Sequence, residues 1–207
     1  MAPIDAVASL LGVLAAASVV VATILVIRLH VLPTGVDPVR DGVSAYALGR
    51  WGSNYRAQVI ASGLAATLIV IGCIALGRGT WLGRAVLLTY AVARFVIVRY
   101  PTDPPGSSTL SPTGRIHALL AAAAFVALGI AAPALGLGLG ATAPWDHAGQ
   151  LLPALSVAVP IAAVATFAAG GAPSLRPMFG LVERTIYVTG FAWLLVVSLG
   201  LAATPLG

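Results

Sequence analysis

The chain has no lysine, one cysteine, three histidines and only 8% charged residues in 207 positions. So little charge, beside 59% hydrophobic residues and a mean hydropathy of +1.02, excludes a soluble domain of this length. A lone cysteine, Cys73, forms no intrachain disulfide, and inside an apolar run it reads as a small core filler. All eleven basic residues are arginine, for a net charge of +5. They flank apolar runs and do not build a soluble basic face, which argues against nucleic acid. Phosphate-type headgroups, whose oxygens match the planar guanidinium fork, fit better, as does plain topology determination by flanking arginines. Arginine in place of lysine throughout, with abundant alanine and glycine, points to a GC-rich bacterial coding sequence and hence to a bacterial plasma membrane.

What the chain has in quantity is apolar runs. About 20 such residues cross a bilayer as a helix, and six runs qualify: 6–27, 57–77, 81–98, 115–139, 148–170 and 181–203. They predict an all-α integral membrane protein with six transmembrane helices in a compact bundle, a single domain over residues 1–207. The first run is read as helix one and not as a signal peptide, since nothing basic precedes it and it exceeds an h-region of roughly 7 to 15 residues.

Helix one ends at Arg28 and His30 and leads into VLPTGVDPVRDGVSAYALGRWGSNYR, a connection of the length that functional loops have. Asp37 before Pro38 is an N-cap signal. Val39, Val43, Tyr46 and Ala47 then recur at helical spacing, which predicts a short interfacial helix or an early extension of helix two. Tyr46, Trp51 and Tyr55 are expected in an aromatic belt at headgroup level, with ligand stacking as the alternative. Helices two and three form a hairpin around GRGT, anchored by Arg78 and Arg84.

The densest chemistry lies in RFVIVRYPTDPPGSSTLSPTGRIH, which holds Arg94, Arg99, Asp103, Arg115 and His117. An ionisable side chain at the centre of a membrane helix costs roughly 2.5 to 3.5 kcal/mol on insertion scales, so such residues default to a functional hypothesis. Arg94 stands seven residues before Pro101, roughly 10 Å along a helix. Ser111 and Pro112 signal the start of helix four, and His117 falls about a turn and a half inside it, at a depth similar to that of Arg94. Gly136, Gly138 and Gly140 at the end of helix four are read as fraying, in preference to close helix contact. Beyond them Trp145, Asp146 and His147 are read as interface residues. Pro153 and Pro160 predict a kinked helix five with carbonyls turned inward. The last connection delivers Glu183 and Arg184 to the entrance of helix six, where Tyr187 and Trp193 follow.

VIRLHVLPTGVDP echoes VIVRYPTDP, and each is followed by a Gly-Arg pair, Gly49-Arg50 or Gly114-Arg115. Three related helical hairpins would produce this echo, and so would chance in a proline-rich chain. By alternation, the connections one to two, three to four and five to six share one membrane face. That face holds most of the polar groups. Setting aside arginines 28, 50, 99, 115 and 184 leaves three against two across the membrane, so positive-inside counting assigns no side.

One functional reading is an enzyme or binder for an anionic amphipathic lipid or isoprenoid. Arg94, Arg115, Arg184 and Arg50, with Glu183, would hold the headgroup, while His117 and Asp103 would do acid-base work. The structural alternative has Asp103 capping a helix or pairing with Arg99 or Arg115, and His117 as an interhelical hydrogen bonder. A second class is a non-catalytic subunit, lipid transporter or sensor. Redox is the third, although His30 and His117 near one surface and His147 near the other do not face each other as haem ligands would. A metal on His30, His117 and an Asp is the minor variant. No cofactor, metal site or oligomeric state is assigned from the residues.

SAYALGRWGSNYR before helix two, RYPTDPPG with Gly114, Arg115 and His117, and GLVERTIYVTGFAW opening helix six together resemble the uncharacterised prokaryotic membrane family catalogued as domain of unknown function 998. That family's pattern is a Phe-Pro-x-Asp loop with a downstream Gly-x-x-His, then a late Gly-Leu-x-x-Arg with a Trp. Pro101, Asp103, Gly114, His117, Gly180, Arg184 and Trp193 match it, and Tyr100 stands where the Phe is usual. The resemblance covers nearly the whole chain. It implies a six-helix integral membrane protein and no established activity.

Overall fold

The computed structural model describes residues 3–204, most of them in six long helices. These are α1 (Pro3–Val31), α2 (Gly52–Ala75), α3 (Trp81–Ile97), α4 (Pro112–Leu139), α5 (Leu151–Gly171) and α6 (Phe179–Ala202). They coincide with the six apolar runs, apart from a few residues at their ends. Five are long and apolar enough to cross a membrane. The exception is α3, whose 17 residues reach about 25 Å at the helical rise. The helix starts follow local chemistry. Thr80 Oγ accepts the Gly83 amide at 3.0 Å to begin α3, and Ser111 Oγ accepts the Gly114 amide at 3.0 Å to begin α4, with Pro112 following.

Each helix packs on the next, and α6 closes the ring by packing on α1 while also touching α2 and α4. Ser9 Oγ donates to the Ala202 carbonyl at 2.8 Å, so the start of α1 and the end of α6 lie together. The seams are built from small side chains. Ala8, Ala15 and Ala22 recur every seven residues on α1 and are fully buried, and a Cβ on Gly12 would run into the α6 backbone at Leu201 and Ala202. This is how membrane helices gain contact, since lipid is as apolar as their own surfaces. Large aliphatic side chains such as Ile24, Ile161, Val164 and Val188 stay on the outside.

Several local expectations change. Gly136 does not fray. A Cβ there would overlap Ser156 and Trp193, so this glycine admits close packing of α4, α5 and α6, and α4 continues to Leu139. Trp145 is not an interface residue: it sits in a 3₁₀ turn (Trp145–Ala148), is buried, and donates from Nε1 to the Val197 carbonyl at 3.0 Å over the bare backbone of Gly200. Asp146 and His147 are exposed beside it. Helix α5 carries Pro160 in its interior. Asp37 caps a turn, accepting the Val39 amide at 2.8 Å, and the expected short helix is a 3₁₀ segment, Val43–Leu48. In and beside that segment, Tyr46 and Tyr55 are buried instead of lying in a headgroup belt, and Trp51 is half-buried under the Arg50 guanidinium, 4.7 Å from its ring.

Candidate functional site

Near the polar face the bundle opens into a cavity of about 460 Å³. Its walls come from α2, α3, α4, α5, α6 and the 3₁₀ segment. Ala118 at the start of α4 and Phe167, Gly170 and Gly171 at the end of α5 line it and are exposed, so its mouth lies between those two helices. Ile97, Ala121, Ala122, Phe125 and Phe179 give the cavity apolar walls, beside the hydroxyl residues Ser44, Thr102 and Thr166 and a polar group formed by Arg94, His117, Glu183, Tyr55 and Tyr187.

Arg94 is 3% exposed, and its partners are neutral. Nε donates to Ser62 Oγ at 2.9 Å and Nη2 to Gln58 Oε1 at 3.1 Å. The rings of Tyr187 and Tyr90 lie 5.7 and 5.9 Å from the guanidinium carbon. Arg94 forms no ion pair with Asp103 or Glu183: among the described residues the one ion pair is Arg40 with Asp37, on the surface. Glycine at position 63 makes the arrangement possible, because a Cβ there would crowd Arg94 and Phe95 at 3.1 to 3.2 Å and push α3 away from α2.

His117 is 4% exposed. Its Nδ1 lies 2.6 Å from the Tyr100 carbonyl, which can only accept, so Nδ1 carries a hydrogen. Nε2 is buried, has no partner among the described residues and belongs to a residue that lines the cavity. His30 shows the contrast. It donates from Nδ1 to the Val26 carbonyl at 2.7 Å, and its Nε2 is filled by Arg184 Nε at 2.6 Å. Of these two histidines, His117 alone is left with an open ring nitrogen.

Asp103 does not contact His117. Its Oδ2 accepts the Ser111 amide at 2.8 Å, and its carboxylate fills the space that a Cβ on Gly114 would take. Asp103 thus ties the 101–111 loop onto the start of α4, which keeps the Tyr100 carbonyl over His117. Glu183, the only glutamate in the chain, is 5% exposed and accepts the Val43 amide at Oε2, 2.6 Å away.

The other arginines read as headgroup ligands lie elsewhere. Arg50 and Arg115 are exposed and outside the cavity lining. Arg184 donates to the Asp41 and Gly180 carbonyls at 2.9 and 2.7 Å and to Tyr46 Oη at 3.3 Å, besides His30. It fastens the first long connection to α6, an attachment reinforced by the Leu181 amide on the Val39 carbonyl at 3.0 Å. His30 is therefore committed to Arg184 and not to a metal shared with His117.

The structure therefore groups Arg94, His117 and Glu183 and sets apart Asp103, Arg50, Arg115 and Arg184. It adds Gln58, Ser62, Tyr55 and Tyr187. The signal for these was present: Tyr55, Gln58 and Ser62 fall at i, i+3 and i+7 on α2, a polar stripe in an apolar helix, and Glu183 and Tyr187 repeat the one-turn spacing on α6. No curated protein and no solved structure matches the chain. The model of the family described as Protein of unknown function (DUF998) matches residues 10–200, so this multi-pass membrane protein belongs to that family.

Proposed function

We propose that the protein binds an amphipathic molecule with an anionic, phosphate-type headgroup, a phospholipid or an isoprenoid phosphate, in the cavity at its polar face. The observation that carries this reading is Arg94: a buried guanidinium bordering an open cavity, held by two neutral side chains and, among the described residues, without an ion-paired carboxylate. Removing such a charge from water is costly, and an anion that hydrogen-bonds to it recovers that energy in a medium where the bond is strong. The cavity volume falls in the usual range for ligand sites, roughly 300 to 1,000 Å³. Its apolar walls suit the first carbons of a chain, which would leave through the mouth between α4 and α5. His117 Nε2 would accept a hydroxyl or a protonated phosphate oxygen from the same headgroup.

Binding is favoured over catalysis because His117 rests on a carbonyl and not on a carboxylate, so the support that usually strengthens a general base is missing. Protein purified in mild detergent should carry a lipid with a phosphate headgroup in native mass spectra, and Arg94→Gln should lose it. Arg115→Ala, which alters an exposed residue outside the cavity, should retain it. Retention by a folded Arg94→Gln protein at the level of the parent would refute the proposal.

A further inference from the structure

Resting on that reading, the geometry points to a headgroup that is zwitterionic: we infer that the cavity takes an aminoalkyl phosphate, with phosphate at Arg94 and His117 and a primary ammonium at Glu183. The reason is the way two opposite groups are held in one cavity without meeting. No Arg94 nitrogen lies within 4.0 Å of a carboxylate oxygen among the described residues. Both side chains are restrained from closing that gap. Arg94 is tethered to α2 through Ser62 and Gln58, and Glu183 is tethered through Oε2 to the Val43 amide beside Gly42, where a Cβ would stand 3.0 Å from the same oxygen. Among the described residues Oε1 of Glu183 has no hydrogen-bond donor, and His117 Nε2 has none either.

A purely anionic ligand would satisfy Arg94 and place a second negative group in the space that the carboxyl already borders. A ligand carrying both charges satisfies each end. The choice of a primary ammonium follows from the acceptors: it has three N–H donors for a carboxyl oxygen and neighbouring hydroxyls, and Tyr55 and Tyr187 line the same space. The shared chemistry is that of an ethanolamine-type phosphate, whether on a lipid or free.

The test uses the full-length protein in detergent, delipidated, with dioctanoyl phosphatidylethanolamine, dioctanoyl phosphatidylglycerol and the N-acetylated form of the first, titrated in native mass spectrometry. The ethanolamine lipid should bind about tenfold more tightly than either competitor, the equivalent of one charge-assisted hydrogen bond. Glu183→Gln keeps an oxygen for the Val43 amide and should bring the ratio of ethanolamine to glycerol lipid close to one. Displacement of the lipid by glycerophosphoethanolamine would identify the free headgroup as sufficient, and its failure would assign the chains a share of the binding. Equal binding of all three lipids to the parent protein, or an unchanged ratio in Glu183→Gln, overturns the inference while leaving the anion site intact. Should Glu183→Gln not fold, the comparison of the three lipids on the parent decides the matter alone. Absence of binding by any of the three removes the anion reading and this one together.

Discussion

Replacing Arg94 by leucine separates a structural arginine from one kept for a ligand. In the empty protein the substitution removes a buried charge whose effective burial penalty is several kcal/mol. Against this stand three losses. Gln58 already has an unpartnered Nε2 and would lose its acceptor contact as well, a penalty of about 1 to 3 kcal/mol. Ser62 still donates to the Val59 carbonyl at 2.8 Å and loses only one acceptor contact. The two tyrosine rings at 5.7 and 5.9 Å lose about 0.5 to 2 kcal/mol between them. The terms nearly cancel, and the double variant Arg94→Leu with Gln58→Leu removes the largest loss. Delipidated double variant should therefore unfold in detergent within about 2 kcal/mol of the parent. Adding the bound lipid at a hundred times its dissociation constant should stabilise the parent by about 2.7 kcal/mol and leave the double variant unmoved. Thermal unfolding with and without lipid reads both. A loss above about 3 kcal/mol in the lipid-free double variant would make Arg94 a structural residue and refute the reasoning.

Other outcomes follow from single contacts. Trp145→Phe leaves the Val197 carbonyl without its indole donor and should destabilise the protein by about 1 to 3 kcal/mol in the same assay; an unchanged midpoint would mean the indole hydrogen bond to α6 contributes nothing. Gly136→Val should be more severe, because its side chain meets Ser156 and Trp193 in a fully packed seam. Arg184→Ala removes four hydrogen bonds that fasten the first long connection, so trypsin should cut at the exposed Arg40 and Arg50 faster than in the parent while the helical content holds. For topology, cysteines at Ser107 and Thr142 in a Cys73-free background should label from opposite sides of the membrane, and labelling of both from one side would contradict the bundle.

The helices were legible because nothing competes with the bilayer rule: long apolar runs between Gly, Pro and Arg have one way to satisfy their backbone. Ser111 with Pro112 even marked the start of α4. What remained illegible was rotation about each helix axis. In a helix apolar on all sides, Arg94 can be seen to be deep, but not whether it faces Asp103, Glu183 or Gln58. From the sequence Asp103 fits two readings, a proton partner for His117 or a group that caps the start of α4, and the loop turns its carboxylate onto the Ser111 amide, as the second requires. The place of Trp145 beside Asp146 and His147 points to the interface, and the missing Cβ at Gly200 admits it to the core. Gly136 and Gly200 look alike in sequence to glycines that fray an end. Only the partner helix distinguishes them.

The central claim is that Arg94 and His117 meet a ligand headgroup and not each other's protein neighbours. The most direct measurement is an experimental structure in lipid nanodiscs at a resolution that shows bound lipid. It should reveal a non-protein headgroup within hydrogen-bonding distance of the Arg94 guanidinium and of His117 Nε2, with its chains leaving between α4 and α5. A cavity filled only with water, with the Arg94 guanidinium swung onto the Glu183 carboxylate, would contradict the account.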